Sequence, residues 1–149
     1  MRLLPRLRSL HLLLGIALSA ATSLAATGGC AQAARTYPLQ LHSQAPGASG
    51  SLSVEAIEGG QRLVVLQLDA LPPPERIAPG LRAFVVWLED SRGTEVNVGK
   101  LRYDREHRSG NLLATTELTA FTVRVTGERD AEAAQPSGVR IAERRVVTN

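Results

Sequence analysis

AFTVRVT, Ala120–Thr126, alternates without interruption. Successive side chains of a strand point to opposite faces, so Phe121, Val123 and Val125 share one side and Thr122, Arg124 and Thr126 the other. An antiparallel strand with one face on a core and one in water has this pattern. The neighbouring segments repeat it. LRAFVVWLED, Leu81–Asp90, is apolar on both faces from Phe84 to Leu88 and reads as the most buried strand. RLVVLQLDAL, Arg62–Leu71, is apolar on both faces at its centre and reads as internal. TYPLQLH alternates Tyr37, Leu39 and Leu41, and SLSVEAI alternates Leu52, Val54 and Ala56. TEVNVGKLRY alternates Val96 and Val98, then meets Gly99, which marks a bulge or a close backbone approach. NLLATTEL and GVRIAERRVV supply two further strands.

Turn residues separate these runs: SQAPGASG, EGGQ, SRG and DREHRSG. PPPERIAPG, Pro72–Gly80, holds four prolines in nine residues, so it reads as a stiff connection between two strands, within one sheet or between two. No segment keeps a helical period. About eight short strands predict an all-β domain, an immunoglobulin-like antiparallel β-sandwich of about 7–8 strands, with a small barrel as the alternative. Hydrophobic residues make up 44% of the chain and aromatics only 3%, so the core is aliphatic. Phe84, Phe121, Val123 and Val125 are placed in it, with Trp87 as the central aromatic between the sheets. The single cysteine excludes an intramolecular disulfide, so packing alone must hold the fold.

The N-terminal segment has a different grammar. MRLLPRLRSL carries three arginines, and HLLLGIALSAATSLAA follows without Asp, Glu, Lys or Arg. Basic start, apolar stretch and small-residue end are the order of a cleaved export signal. The apolar part, Leu10–Leu24, is short against the roughly 20 residues of a stable membrane span. Thr27-Gly28-Gly29-Cys30 resembles a bacterial lipobox, in which a cysteine after small residues becomes the lipidated first residue of the mature chain. Thr27 departs from that pattern, where Leu is typical. Ala31-Gln32-Ala33 offers ordinary cleavage before Ala34 and a freely secreted domain as the alternative; an uncleaved anchor is the other. The expected organisation is a lipoprotein-type signal over 1–29, a tether over 30–36 and a sandwich over 37–149. In this organisation Cys30 is the expected lipidation site and the membrane the expected first partner.

Three of the 17 basic residues, Arg2, Arg6 and Arg8, lie in the leader and none of the 14 acidic residues does. The mature part is therefore neutral, which argues against a nucleic-acid partner, since phosphate binding needs uncompensated Lys and Arg.

FVVWLED followed by Gly93, VGKL, SGNLLATTEL, FTVRVTGE and PSGV together resemble the extracytoplasmic domain of anti-sigma-K factors of the RskA type. The matching positions are Phe84, Trp87, Leu88, Gly93, Gly99, Leu101, Gly110, Phe121, Val123, Val125, Thr126, Glu128, Pro136 and Gly138. They span Gly80 to Ile141, about half the mature chain, and are mostly core and turn positions. Only about eight residues precede the apolar run, so the sigma-binding part of that family is expected to be missing. The resemblance implies an exported sandwich of the same kind, acting as a stand-alone sensor, an envelope-interaction module or a related regulator.

Chemistry-bearing patterns are sparse. A metal site needs converging His, Cys or carboxylates; His42 and His107 lie in different segments, His11 in the leader. No G-x-S-x-G occurs, and Ser137 in QPSGV reads as turn chemistry. Glu89 and Asp90 are adjacent on a strand and so point to opposite faces, which does not make an acid–base pair. Gly59-Gly60 is a turn rather than a phosphate loop. The reading assigns no catalytic, cofactor or metal residue. Two features suit binding: the proline-rich connection with Arg76 and Arg82, and the C-terminal Arg144 and Arg145, which also suit guarding a strand edge. The domain is expected to be a monomer, with an envelope protein as its second partner.

Overall fold

The computed structural model describes residues 33–148. The segment expected to be an export signal and Cys30 lie outside them. Among the described residues, ten strands form two five-stranded antiparallel sheets. In chain order they are β1 (Arg35–Pro38), β2 (Gln40–Leu41), β3 (Ser49–Ala56), β4 (Arg62–Asp69), β5 (Ala83–Glu89), β6 (Glu95–Lys100), β7 (Arg102–Asp104), β8 (Ser109–Thr116), β9 (Ala120–Glu128) and β10 (Val139–Val147). One sheet runs β1-β3-β4-β8-β7 and the other β2-β10-β9-β5-β6. From β3 onward this is the immunoglobulin-type order: β3-β4-β8-β7 takes the place of A-B-E-D and β10-β9-β5-β6 that of G-F-C with an added C′ strand. Arg35 and Thr36, expected in the tether, are the first residues of β1.

Two runs that read as single strands are each cut by a buried leucine. Leu39 separates β1, in the first sheet, from β2, in the second. Leu101 does the same between β6 and β7, and its N–H donates to the Phe84 carbonyl at 2.8 Å. At each crossing the leucine turns into the space between the sheets, and a glycine of the facing strand makes room. A Cβ on Gly50 would come within 2.9 Å of Leu39, and one on Gly110 within 3.1 Å of Leu101. Eight expected strands become ten by this device.

The core holds Leu52, Val54, Val64, Leu66 and Leu68 from the first sheet and Phe84, Val86, Leu88, Phe121, Val123, Val125 and Val146 from the second. β4 is internal, between β3 and β8, as its two-sided apolar centre requires. The proline-rich segment does join the two sheets, and it contains one helical turn, α1 (Pro74–Ile77), with proline at its start where no N–H is needed. β6 carries a bulge opposite Val86–Trp87, with Gly99 at φ 127°. The bulge and the edge position leave Val96 56% exposed, whereas Val98 packs against the core.

Trp87 is fully buried, but not between the sheets. Phe84, Val86 and Leu88 face the core, so Val85 and Trp87 take the opposite face of β5. The loop 129–138 is held over that face: Asn97, paired with Trp87 across β6, donates to the carbonyls of Ala131 and Ala133 at 3.0 Å each.

Candidate functional site

Two polar groupings lie on the second sheet and its end. They differ in whether their hydrogen-bonding capacity is spent.

The first is closed. Trp87 Nε1 donates to Thr126 Oγ1 at 2.8 Å, and Thr126 Oγ1 donates to Glu128 Oε1 at 2.6 Å. The same carboxylate accepts from the backbone N–H of Ser137 (3.1 Å) and of Gly138 (3.0 Å), and its other oxygen accepts from Ser137 Oγ (3.0 Å). Glu128 is 1% exposed. Buried carboxylates persist only when their lone pairs are filled by donors, and here four donors do so. A Cβ on Gly138 would meet the Gly127 carbonyl at 1.8 Å, so the turn admits no side chain there. Ser137, read as turn chemistry, is a clasp on Glu128. The alternation rule put Thr126 on the outer face correctly; its burial follows from the loop laid over that face. The spacing Thr126-x-Glu128 with Pro136-x-Gly138 is the sequence signal for this clasp.

Beside it, Arg124 gathers three carboxylates: Glu89 at 2.9 Å, Glu143 at 3.2 Å, and Glu95. Its side chain is 15% exposed, and Arg140 reaches Glu143 at 3.6 Å. Glu89 and Asp90 have separate tasks. Glu89 serves Arg124, while Asp90 Oδ1 accepts from the N–H groups of Arg92 and Thr94 and ties the β5–β6 turn. Those turn bonds, the Thr94 N–H first, hold the Asp90 carboxyl below its ordinary value.

The second grouping is open. A cleft of about 590 Å³ is lined by Arg82, Lys100, Arg102, Arg105 and Arg129, together with Tyr103 and Asp130. It lies where the chain crosses between sheets at Leu101. Tyr103 forms part of its floor. Its hydroxyl donates to the Leu71 carbonyl at 2.8 Å, its ring meets Phe84 edge-on at 5.3 Å, and burial pushes its phenol above the usual range. Arg105 is clamped by Glu75 of α1 through both terminal nitrogens, and that bond holds the Glu75 carboxyl below its ordinary value. Among the described residues Arg82, Lys100, Arg102 and Arg129 make no ion pair, and all four are exposed. Of the arginines singled out in the sequence, Arg82 belongs to this cleft and Arg76 lies on α1. Arg144 lies over the Tyr37 ring, 5.6 Å from its centroid, and Arg145 is exposed. His107 lies in the β7–β8 turn, where its ring nitrogen meets Asp104 at 2.9 Å.

Phe84, Phe121, Val123 and Val125 take their expected places in the core. Cys30 lies outside the described residues. The chain matches no known family model, no curated protein and no solved structure.

Proposed function

We propose that this chain is an exported, lipid-anchored and non-catalytic binding domain of the bacterial cell envelope, held at the membrane through Cys30. The observation that carries the binding role is the open cleft, which gathers four cations without an ion-pair partner into one concavity. Side chains with catalytic potential support the non-catalytic part: Thr126, Glu128 and Ser137 saturate one another while holding a loop. The order of the leader and the lipobox-like placement of Cys30 support export and anchoring. A sensing or regulatory role, as the resemblance to anti-sigma-K extracytoplasmic domains implies, uses the same cleft as its input site.

The test is fractionation of a bacterial host expressing the full chain and its Cys30→Ser variant. The expected result is membrane association of the first and a soluble envelope fraction for the second. Equal partition of both would remove the anchor from the proposal.

A further inference from the structure

We propose that the basic cleft docks an acidic, extended peptide segment of a partner protein, on the end of the sandwich that faces away from the anchor. The inference rests on the anchored-domain reading for its orientation and on the cleft itself for its chemistry.

Elsewhere on the surface Arg62, Arg92, Arg108, Arg124 and Arg140 each have an acceptor, while Arg35, Arg76 and Arg145, which have none among the described residues, lie on separate elements. In the cleft Arg82, Lys100, Arg102 and Arg129 line one concavity with Asp130 as the only carboxylate in the lining. Like charges held together repel, and a low-dielectric cleft focuses their field on an incoming anion. The fold also displays the anion that fits. Glu75 engages Arg105, a member of the same lining, through both guanidinium nitrogens, the two-pronged geometry that matches a carboxylate to arginine.

A peptide fits better than a bare polyanion. Lys100, in the cleft wall, is the last residue of β6, and β6 is the outermost strand of its sheet. An outermost strand offers unpaired main-chain groups to an extended peptide. Val96 on that strand is 56% exposed and offers it an apolar contact.

Orientation follows from register. Arg35 pairs with Val54 and Pro38 with Ser51, so the chain enters β1 at the end of the sandwich carrying the β3–β4 turn. That turn is at the far end of β4 from Asp69. The cleft is at the opposite end, with the start of β5, the end of β9 and the β7–β8 turn. An anchor upstream of Arg35 therefore leaves the cleft pointing away from its own bilayer.

Fluorescence anisotropy of a labelled octaglutamate peptide with the purified full chain in detergent tests the proposal. The R82E/R129E double variant, the R35E variant at the opposite end of the sandwich and an octaglutamine peptide serve as comparisons. Thermal melts of each variant confirm folding. The expected result is saturable binding of octaglutamate only, weakened at least tenfold by R82E/R129E, unchanged within twofold by R35E, and weakened by added salt. No preference over octaglutamine, or an equal loss with R35E, would overturn it. Tighter binding of inorganic polyphosphate, lost with the same double variant, would also overturn it by making the ligand a phosphate polymer. Saturable binding of the cleft to phosphatidylglycerol vesicles would overturn the orientation. Anisotropy reads the cleft and cell fractionation reads the anchor, so the two fail separately.

Discussion

The indole N–H of Trp87 and the hydroxyl of Thr126 stand 2.8 Å apart on the face of β5 and β9 turned away from the first sheet. This bond begins a relay through Glu128 to Ser137 and Gly138 and fastens the loop 129–138. A buried donor left without an acceptor costs about 1–3 kcal/mol, and Glu128 serves four. Glu128→Ala is therefore expected to destabilise the domain by about 3–5 kcal/mol, against about 1–2 kcal/mol for Glu128→Gln, which keeps an acceptor oxygen. Urea unfolding followed by Trp87 fluorescence measures both. Equal costs would show that the carboxylate is not the hub.

Gly138 and Gly93 separate close approach from backbone preference. A Cβ at Gly138 collides with backbone, whereas one at Gly93 meets nothing within 4 Å and pays only for its φ of 83°. Gly93→Ala is expected to cost about 1 kcal/mol. Gly138→Ala is expected to cost several times that and to release the loop, raising amide exchange at Ala131 and Ala133. Similar melting temperatures for the two variants would contradict this.

Arg124 holds Glu89, Glu95 and Glu143 together. Removing it leaves three carboxylates facing one another, partly shielded from water. Arg124→Met is expected to destabilise by about 2–4 kcal/mol, near the cost of breaking a buried pair. Adding Glu89→Gln and Glu143→Gln to it is expected to recover more than half of that loss. Chemical denaturation of the single and the triple variant checks it, and no recovery in the triple would contradict it.

Much of the fold is legible in the alternation of Phe121, Val123 and Val125 and in the unbroken apolar centre of β5. Trp87 shows where that reasoning stops. Five consecutive buried positions in β5 cannot all face one core, since alternate residues must look the other way. The second face is covered by a loop, and a loop leaves no periodicity to read. The sheet changes at Leu39 and Leu101 are equally silent, because a buried leucine in an alternating run reads as strand whether or not the chain crosses there. The basic cleft was visible only in part. Arg82 stands out beside the prolines, but Lys100 and Arg102, on either side of Leu101, and Arg129 come from two other segments and meet Arg82 only through the topology.

Two turns make stability depend on acid. The carboxyls of Asp90 and Asp104 are held below the usual range, chiefly by the N–H of Thr94 and of His107 respectively. A depressed folded value means stability present above the unfolded value, about 3.9, and lost as pH falls through the folded one. The melting temperature is expected to decline below pH about 4, and more shallowly in the Asp90→Asn/Asp104→Asn variant. Parallel acid limbs would assign the decline to other carboxylates.

The central claim is the anchor, because it sets the compartment and the direction in which the cleft faces. Intact mass and N-terminal peptide mapping of the protein from its native host test it most directly. The account predicts a mature chain beginning at Cys30 with the added mass of acyl groups. A chain beginning near Ala34 without lipid would contradict it and make the domain a freely diffusing secreted one.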